Sequence, residues 1–271
     1  MIVGIDIGGS TTDAVVLENG GLHVVTIEAN DPVAAAAGAL GKLVAEFGIK
    51  LEAIERVAAT GAGSRALGES LLGRPVAKVN EFTAIGIGGT SLAHTTSALV
   101  VSLGTGTAIV SVTPEKIAHF SGTGVGGGTL LGLAKHMLGV ATIERLEAMA
   151  KKGDLRRVDL TVRDIAGGAI GDLPPSTTAA NFGKISADAT PEDKALAIVN
   201  MIVESIGVLA MASARACGQE NIVLTGKLSR LFRFMQEMKR LTFPFGRRFV
   251  IPEHADFATA IGAARHARQQ G

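Results

Sequence analysis

The segment Asp6-Ile7-Gly8-Gly9-Ser10-Thr11-Thr12 sets one carboxylate, two glycines and three hydroxyls between two apolar runs. A carboxylate at a strand end can hold Mg2+ directly or through water. Two glycines let backbone N–H groups close on a phosphate, and the hydroxyls add donors. An ordinary hairpin turn has a similar composition, so this segment alone leaves both readings open. Leu103-Gly104-Thr105-Gly106-Thr107 repeats the arrangement. Two such turns facing each other would grip phosphates from both sides of a cleft. A third segment, Gly122-Thr123-Gly124-Val125-Gly126-Gly127-Gly128, leads into a helical stretch. Glycines before a helix N-terminus offer unpaired N–H groups and the positive end of the helix dipole to an anion.

Glu81 follows Asn80 at the start of another helical stretch. An acid is favoured there by the dipole and Asn80 is a natural cap, so the position needs no chemistry to explain it. As a general base, Glu81 would take the proton of a hydroxyl attacking a phosphoryl group. Gly226, after the apolar run 221–225, would let a flat ring such as adenine lie on the backbone, although a plain turn glycine fits equally. His119 ends a strand just before the Gly-rich loop, and the six histidines show no ligand spacing. No metal cluster is therefore expected beyond a nucleotide-bound Mg2+. The single cysteine, Cys217, sits in the apolar helical stretch AMASARACG and reads as a core thiol.

The elements that must position these residues follow from periodicity. The first half predicts strands over 2–6, 13–17 and 22–27, with Asn19-Gly20-Gly21 as a hairpin turn. A helix over 32–47 follows, capped by Asp31 with Pro32 in its first position. A strand over 56–60, a short helix reaching Leu72, a strand over 76–79 and a helix over 81–94 complete the unit. The second half restarts with strands over 97–103, 107–112 and 116–120. Helices over 129–138, 142–152 and 191–216 come next. A strand over 221–225, a helix over 229–241, a strand over 248–251 and a helix over 257–268 end the pattern. Two similar β-β-β-α-β-α units predict an α/β chain of two related lobes around a cleft, 1–95 and 96–271.

Composition agrees with an enzyme-sized soluble chain. The 271 residues are 47% apolar and carry a formal charge of +1, with acids and bases mixed, so nothing attracts nucleic acid. The start, MIVGIDIGG, lacks the basic and apolar regions of a signal peptide, and no apolar run reaches the roughly 18 to 20 uninterrupted residues of a membrane span. A cytoplasmic location is expected. The 35 glycines cluster beside strand-like runs, as where backbone approaches a ligand or turns sharply.

The paired Gly/Thr turns with Asp6 resemble the superfamily of acetate and sugar kinases, heat-shock ATPases and actin. The resemblance implies a two-lobed, actin-like (ribonuclease H-like) fold. A longer set of segments is similar to the type II pantothenate kinases in order and spacing. It runs from Ser121-Gly122-Thr123-Gly124 through Gly128-Thr129 and Gly132-Leu133 to Gly153-Asp154, then Asp159 to Ile165 and Thr178 to Gly183. The match extends to Asn221-Ile222-Val223 and Ala260-Ile261-Gly262-Ala263. It implies phosphorylation of pantothenate by ATP with Mg2+, the first step of coenzyme A synthesis, in a homodimer built around the helix over 191–216. Glu81 falls on the family's catalytic glutamate, and Thr105, His119 and Thr123 fall at the acceptor. Asp6 would order Mg2+, and the nucleotide would rest on Gly8, Gly9, Ser10, Thr11, Thr12, Gly104, Thr105, Gly106, Thr107, Gly126, Gly127, Gly128 and Gly226.

Three positions depart from the family. Asp13 stands where a lysine is usual, His119 where an arginine binds the pantothenate region, and Ala108 where a second hydroxyl is usual. Arginine to histidine loses a permanent charge and a bidentate fork. An aspartate near a polyphosphate repels it unless its side chain points away. Two alternatives stay open: a kinase of the same fold acting on another small hydroxy acid or alcohol, and a non-catalytic ATP-binding or ATPase regulatory protein.

Overall fold

The computed structural model describes residues 1–18, 21–28, 31–237 and 248–270. Apolar residues alternating at the start form an antiparallel meander of β1 (Ile2–Ile7), β2 (Thr11–Glu18) and β3 (Gly21–Glu28). The expected turn at Asn19-Gly20 lies outside the described residues. α1 (Pro32–Phe47) begins where the Asp31 carboxylate accepts from the Ala34 N–H at 2.7 Å, and it ends at Gly48 in the left-handed region. β4 (Arg56–Thr60) lies parallel to β1. In place of the expected short helix to Leu72 there is one 3-10 turn, Ala62–Ala66, and then a hairpin of β5 (Ser70–Leu71) and β6 (Arg74–Lys78). Gly73, at φ 75°, closes that hairpin. α2 (Glu81–Leu92) starts where the Asn80 side chain accepts from the N–H groups of Phe82 and Thr83. The sheet runs β3-β2-β1-β4-β6-β5.

The second half repeats this plan. β7 (Ala98–Leu103), β8 (Thr107–Val112) and β9 (Ile117–Thr123) form another antiparallel meander. α3 (Gly127–Leu138), which begins two residues earlier than its sequence pattern suggests, and α4 (Ile143–Ala150) follow. A small excursion then carries β10 (Leu160–Thr161), α5 (Val162–Ala166) and β11 (Thr178–Ala180). α6 (Pro191–Ala216) leads to β12 (Asn221–Thr225), parallel to β7. α7 (Ser229–Glu237), β13 (Arg248–Val250) and α8 (Ala258–Gln269) complete the chain. The expected continuation of α7 to residue 241 falls outside the described residues. This sheet runs β13-β12-β7-β8-β9, so in both sheets a meander is extended by parallel strands beside its first member.

Each sheet is covered on both faces, which is why strands such as Ala98–Leu103 are apolar throughout. Leu99, Val101 and Leu103 face α6 in the largest core, while Ala98 and Val100 share the opposite core with Ile85 of α2. On the first sheet Val3, Ile5 and Ile7 pack with the α1 residues Ala36, Leu40 and Leu43. The other face carries α8, whose Ala260, Ile261 and Ala264 pack with Val15. α6 is the one described helix long and apolar enough to cross a membrane, and 67% of that stretch is buried inside the fold as a core helix.

α2 and α8 cross between the two sheets with their backbones in contact. A Cβ on Gly88 would stand 1.9 Å from the Ala258 carbonyl oxygen, and one on Gly262 would stand 1.9 Å from that of Ala84. Both helices supply the same spacing, Ala84 and Gly88 against Ala258 and Gly262, so the contact is reciprocal. Gly4 of β1 is equally crowded by Ala260. Gly88→Ala or Gly262→Ala is therefore expected to force the helices apart. The cost is about 1–3 kcal/mol, read as a fall in Tm of roughly 2–10 °C in a thermal melt. Gly41→Ala, inside α1 with nothing within 4 Å of its Cβ, is the control and is expected to raise Tm slightly.

Candidate active site

Because each sheet opens with a tight turn after its first strand, crossing α2 over α8 brings the two turns face to face. The first is closed by the Gly8 N–H donating to the Thr11 carbonyl at 3.0 Å. The Ser10 and Thr105 hydroxyls meet across the gap at 3.0 Å. Together the turns line a cleft of about 200 Å³ whose walls include Asp6, Gly8, Gly9, Ser10, Thr11, Gly104, Thr105, Gly127 and Gly226. Gly226 is required by geometry. Its φ is +83°, and a Cβ there would lie 2.6 Å from the Leu103 carbonyl oxygen.

Other expected contacts point elsewhere. Successive side chains of a strand alternate between faces, so Thr11 and Asp13 reach the cleft while Thr12 turns into the core. The Thr12 hydroxyl is fully buried and has no hydrogen-bond partner. Thr107 is buried as well, and its hydroxyl donates to the Val125 carbonyl at 2.8 Å, which ties the Gly-rich loop to β8. Gly106, Gly126 and Gly128 do not line the cleft either. The N–H groups of Gly127 and Gly128 are not free for an anion. They donate to the carbonyls of Gly104 and Thr105 at 2.9 and 2.8 Å. The loop thus braces the second phosphate turn from behind, and Gly126 is needed because a Cβ would strike the Thr105 carbonyl at 2.6 Å. Thr123 has a similar bracing role, its hydroxyl accepting from the Val125 N–H at 3.2 Å.

Glu81 opens α2 in an exposed position at the positive end of the helix. Its neighbour Phe82 stacks on the His119 ring, with centroids 4.3 Å apart. The glutamate and the histidine are therefore neighbours through Phe82, although no motif joins them in sequence and neither lines the cleft.

The cleft gathers acids. Asp6 and Asp13 are directly opposite in the β1–β2 register, and both line the wall with Asp256. Burial first, then the negative charges of Asp13 and Glu81, push the Asp6 carboxyl up to about 7, against the opposing pull of Lys227. Burial also raises the carboxyl of Asp256. Lys227 is the basic residue among the described residues of the wall. Its ammonium lies 3.0 Å from Asp13 Oδ1 and donates to the Thr11 hydroxyl at 2.7 Å, bridging the two halves of the chain. Sequence reasoning singled out Gly226-Lys227 but gave a role at the cleft to Gly226 alone, and it missed Asp256. A lysine directly after Gly226, in the turn that follows β12, was the available signal.

Among the described residues no three metal-ligating side chains converge on one point. Asp6 still suits a cation that keeps most of its ligands as water and phosphate, as Mg2+ does. A divalent ion would also offset the burial and, after it, the repulsion that together raise its pKa.

The sign of the pH effect follows from that shift. Between the unfolded value of about 3.9 and the folded value of about 7, the folded state holds a proton on Asp6 that the unfolded chain has lost. Its contribution to stability therefore falls as pH rises through this window. Asp6→Asn removes the titration and is expected to raise Tm of the ligand-free protein above pH 7, with the gain disappearing by about pH 4. A pH series of thermal melts checks this, and a gain independent of pH would contradict it.

Comparison with known proteins completes the picture. A family model described as Fumble matches residues 90–264. A type II pantothenate kinase of Oceanobacillus iheyensis is 32% identical over 258 residues, which cover 90% of this chain and 93% of that protein. Among solved structures, the activator of 2-hydroxyisocaproyl-CoA dehydratase from Clostridium difficile, with bound ADPNP, superposes with a TM-score of 0.71 at 18% identity, over 99% of this chain and 94% of its own. A ROK family glucokinase from Streptomyces griseus, in complex with glucose and AMPPNP, superposes with a TM-score of 0.59 at 16% identity, over 99% of both chains. At those identities the superpositions speak for the fold alone, and they bear out the two-lobed actin-like architecture. With the motifs of 121–183 set on that architecture, and with a relative matched along nearly its whole length, the chain belongs to the Fumble family of type II pantothenate kinases.

Proposed function

We propose that this protein transfers the γ-phosphoryl group of ATP, with Mg2+, to the primary hydroxyl of pantothenate, the first step of coenzyme A synthesis. The observation that carries the reading is the Ser10–Thr105 contact, which sets two phosphate-type turns against each other over Asp6. Kinship with type II pantothenate kinases supplies the acceptor. Gly8, Gly9, Ser10 and Thr11 on one side, and Gly104 and Thr105 on the other, hold the phosphates. Gly226 leaves room for the base. Asp6 would hold the metal, which neutralises charge on the phosphates when bound. Glu81 takes the proton of the attacking hydroxyl. His119, held flat against Phe82, and Thr123 belong to the acceptor end.

The two sheets, with the helices packed on each, close over the substrates by turning about the α2–α8 crossing, which excludes water from transfer. A homodimer is proposed through α6, where Val208 is 56% exposed on a face it shares with Ser205 and Ala212. A cytoplasmic location fits this chemistry.

The sequence keeps a second acceptor in view: Ala108 and His119 stand without the hydroxyl and guanidinium that the resemblance implies for the acceptor pocket. Coupled ADP release from MgATP, with and without pantothenate, decides between the two. Pantothenate-dependent turnover is expected, and Glu81→Gln is expected to lower kcat by roughly 10²–10⁴-fold. Turnover with other small hydroxy acids only would move the acceptor, and unchanged turnover in the glutamine variant would remove Glu81 as base. Val208→Asp is expected to convert the dimer to monomer in size-exclusion chromatography. A wild-type monomer would end the dimer proposal.

A further inference from the structure

Asp13 is an acid on the wall of a cleft read as a phosphate site, and its side chain does not point away from it. It is 6% exposed, accepts from the Thr26 hydroxyl and receives the Lys227 ammonium at 3.0 Å. Asp6 stands opposite it in the register, so two carboxylates share one face of β1 and β2. Like charges in that relation repel. A polyphosphate entering the same cleft would add several more negative charges.

Lys227 is the answer the fold provides. It comes from the opposite sheet, in the turn after β12. Its main chain there is fixed by the Gly226 N–H bonding to the Ala255 carbonyl at 2.8 Å and by the left-handed Gly226 itself. An ammonium has three donors. Two are aimed at Thr11 and Asp13, both on the cleft wall, and the side chain remains 33% exposed. A group whose sole task was to neutralise Asp13 would not also need the hydroxyl of a phosphate turn. We propose that Lys227 is the phosphate-binding cation of the nucleotide site. Asp13 and Thr11 hold its ammonium ready, and the terminal phosphates of the nucleotide take up its remaining donor. Asp13 is then a positioning residue. The charge is supplied across the cleft from the second sheet, so the ammonium also links the two sheets through the bound nucleotide.

This inference rests on the nucleotide-kinase reading above, and the test separates the two. Removing Lys227 alone would strand a buried carboxylate, so the informative variant is the neutral pair Asp13→Asn with Lys227→Gln. Binding of MgATP and of adenosine is measured calorimetrically for this variant, for Lys227→Arg and for the wild type. The double variant is expected to lose about ten- to hundred-fold in MgATP affinity, as for a charge-assisted bond, with adenosine affinity unchanged. Lys227→Arg is expected to keep most of the MgATP affinity. A double variant that binds MgATP like the wild type would reduce Lys227 to a partner of Asp13 and overturn the proposal. Loss of adenosine along with MgATP would also overturn it, because Lys227 would then shape the whole cleft. A wild type that binds neither ligand would bring down the nucleotide reading itself.

Discussion

Gly88 and Gly262 have no room for a methyl group, and the molecule is arranged around that fact. Each lies against a carbonyl of the opposing helix, so α2 and α8 meet main chain to main chain. The outward faces of the two helices then rest on different sheets, α2 on β7, β8 and β12 and α8 on β1, β2 and β4. The separation of the sheets is set by two backbones and not by side chains that could be exchanged for longer ones. From that spacing it follows that the β1–β2 and β7–β8 turns come within a single hydrogen bond of each other. A thicker seam would open the cleft beyond the reach of a serine and a threonine hydroxyl.

The cleft so formed is electrostatically costly when empty. Asp6, Asp13 and Asp256 line it and Glu81 adds its field, while a single ammonium offsets them among the described residues of the wall. Such an arrangement stores unfavourable charge that a bound cation and a well-placed donor release, so part of the binding energy of a metal–nucleotide complex comes from relief. The glycine-rich loop contributes differently from what its composition suggests. Its amides are spent on the carbonyls of Gly104 and Thr105, so it stiffens the turn that faces the phosphates. Pre-positioned turns lose less freedom on binding than mobile ones.

Much of this was legible in the residues. Caps at Asp31 and Asn80, the apolar alternation of the strands and the paired Gly/Thr turns located the main strands and helices and the turns that line the cleft, but none of β10, α5 and β11. What the sequence hid was mostly orientation. Thr11, Thr12 and Asp13 are adjacent letters, but the pleat of β2 sends the middle one into the core. A motif therefore overstates its own contacts by including residues that alternate away. Lys227 was hidden for another reason. The Thr11 hydroxyl it meets lies 216 positions away in the chain, and a pair of that kind becomes visible only when both sheets are in place. The hairpin at 70–78 was hidden by its brevity. Its first strand has only two residues, Ser70 and Leu71, too few to show an alternation, and the turn is just Leu72 and Gly73, both at positive φ.

The path of the chain has a consequence for how the molecule is made. The first sheet is complete in sequence by Lys78, yet the helix that covers its inner face is α8, which begins at Ala258. During synthesis at roughly 5–20 residues per second, the interval between those two points is on the order of ten to forty seconds. For that time Val15 and its neighbours lack the Ala260, Ile261 and Ala264 surface that buries them in the finished fold. The nascent first lobe thus leaves the ribosome as an unfinished half with a greasy face, and it closes only when the last helix arrives. A chaperone that shields such a face has its natural window here, and a ribosome stalled in the second half would expose it.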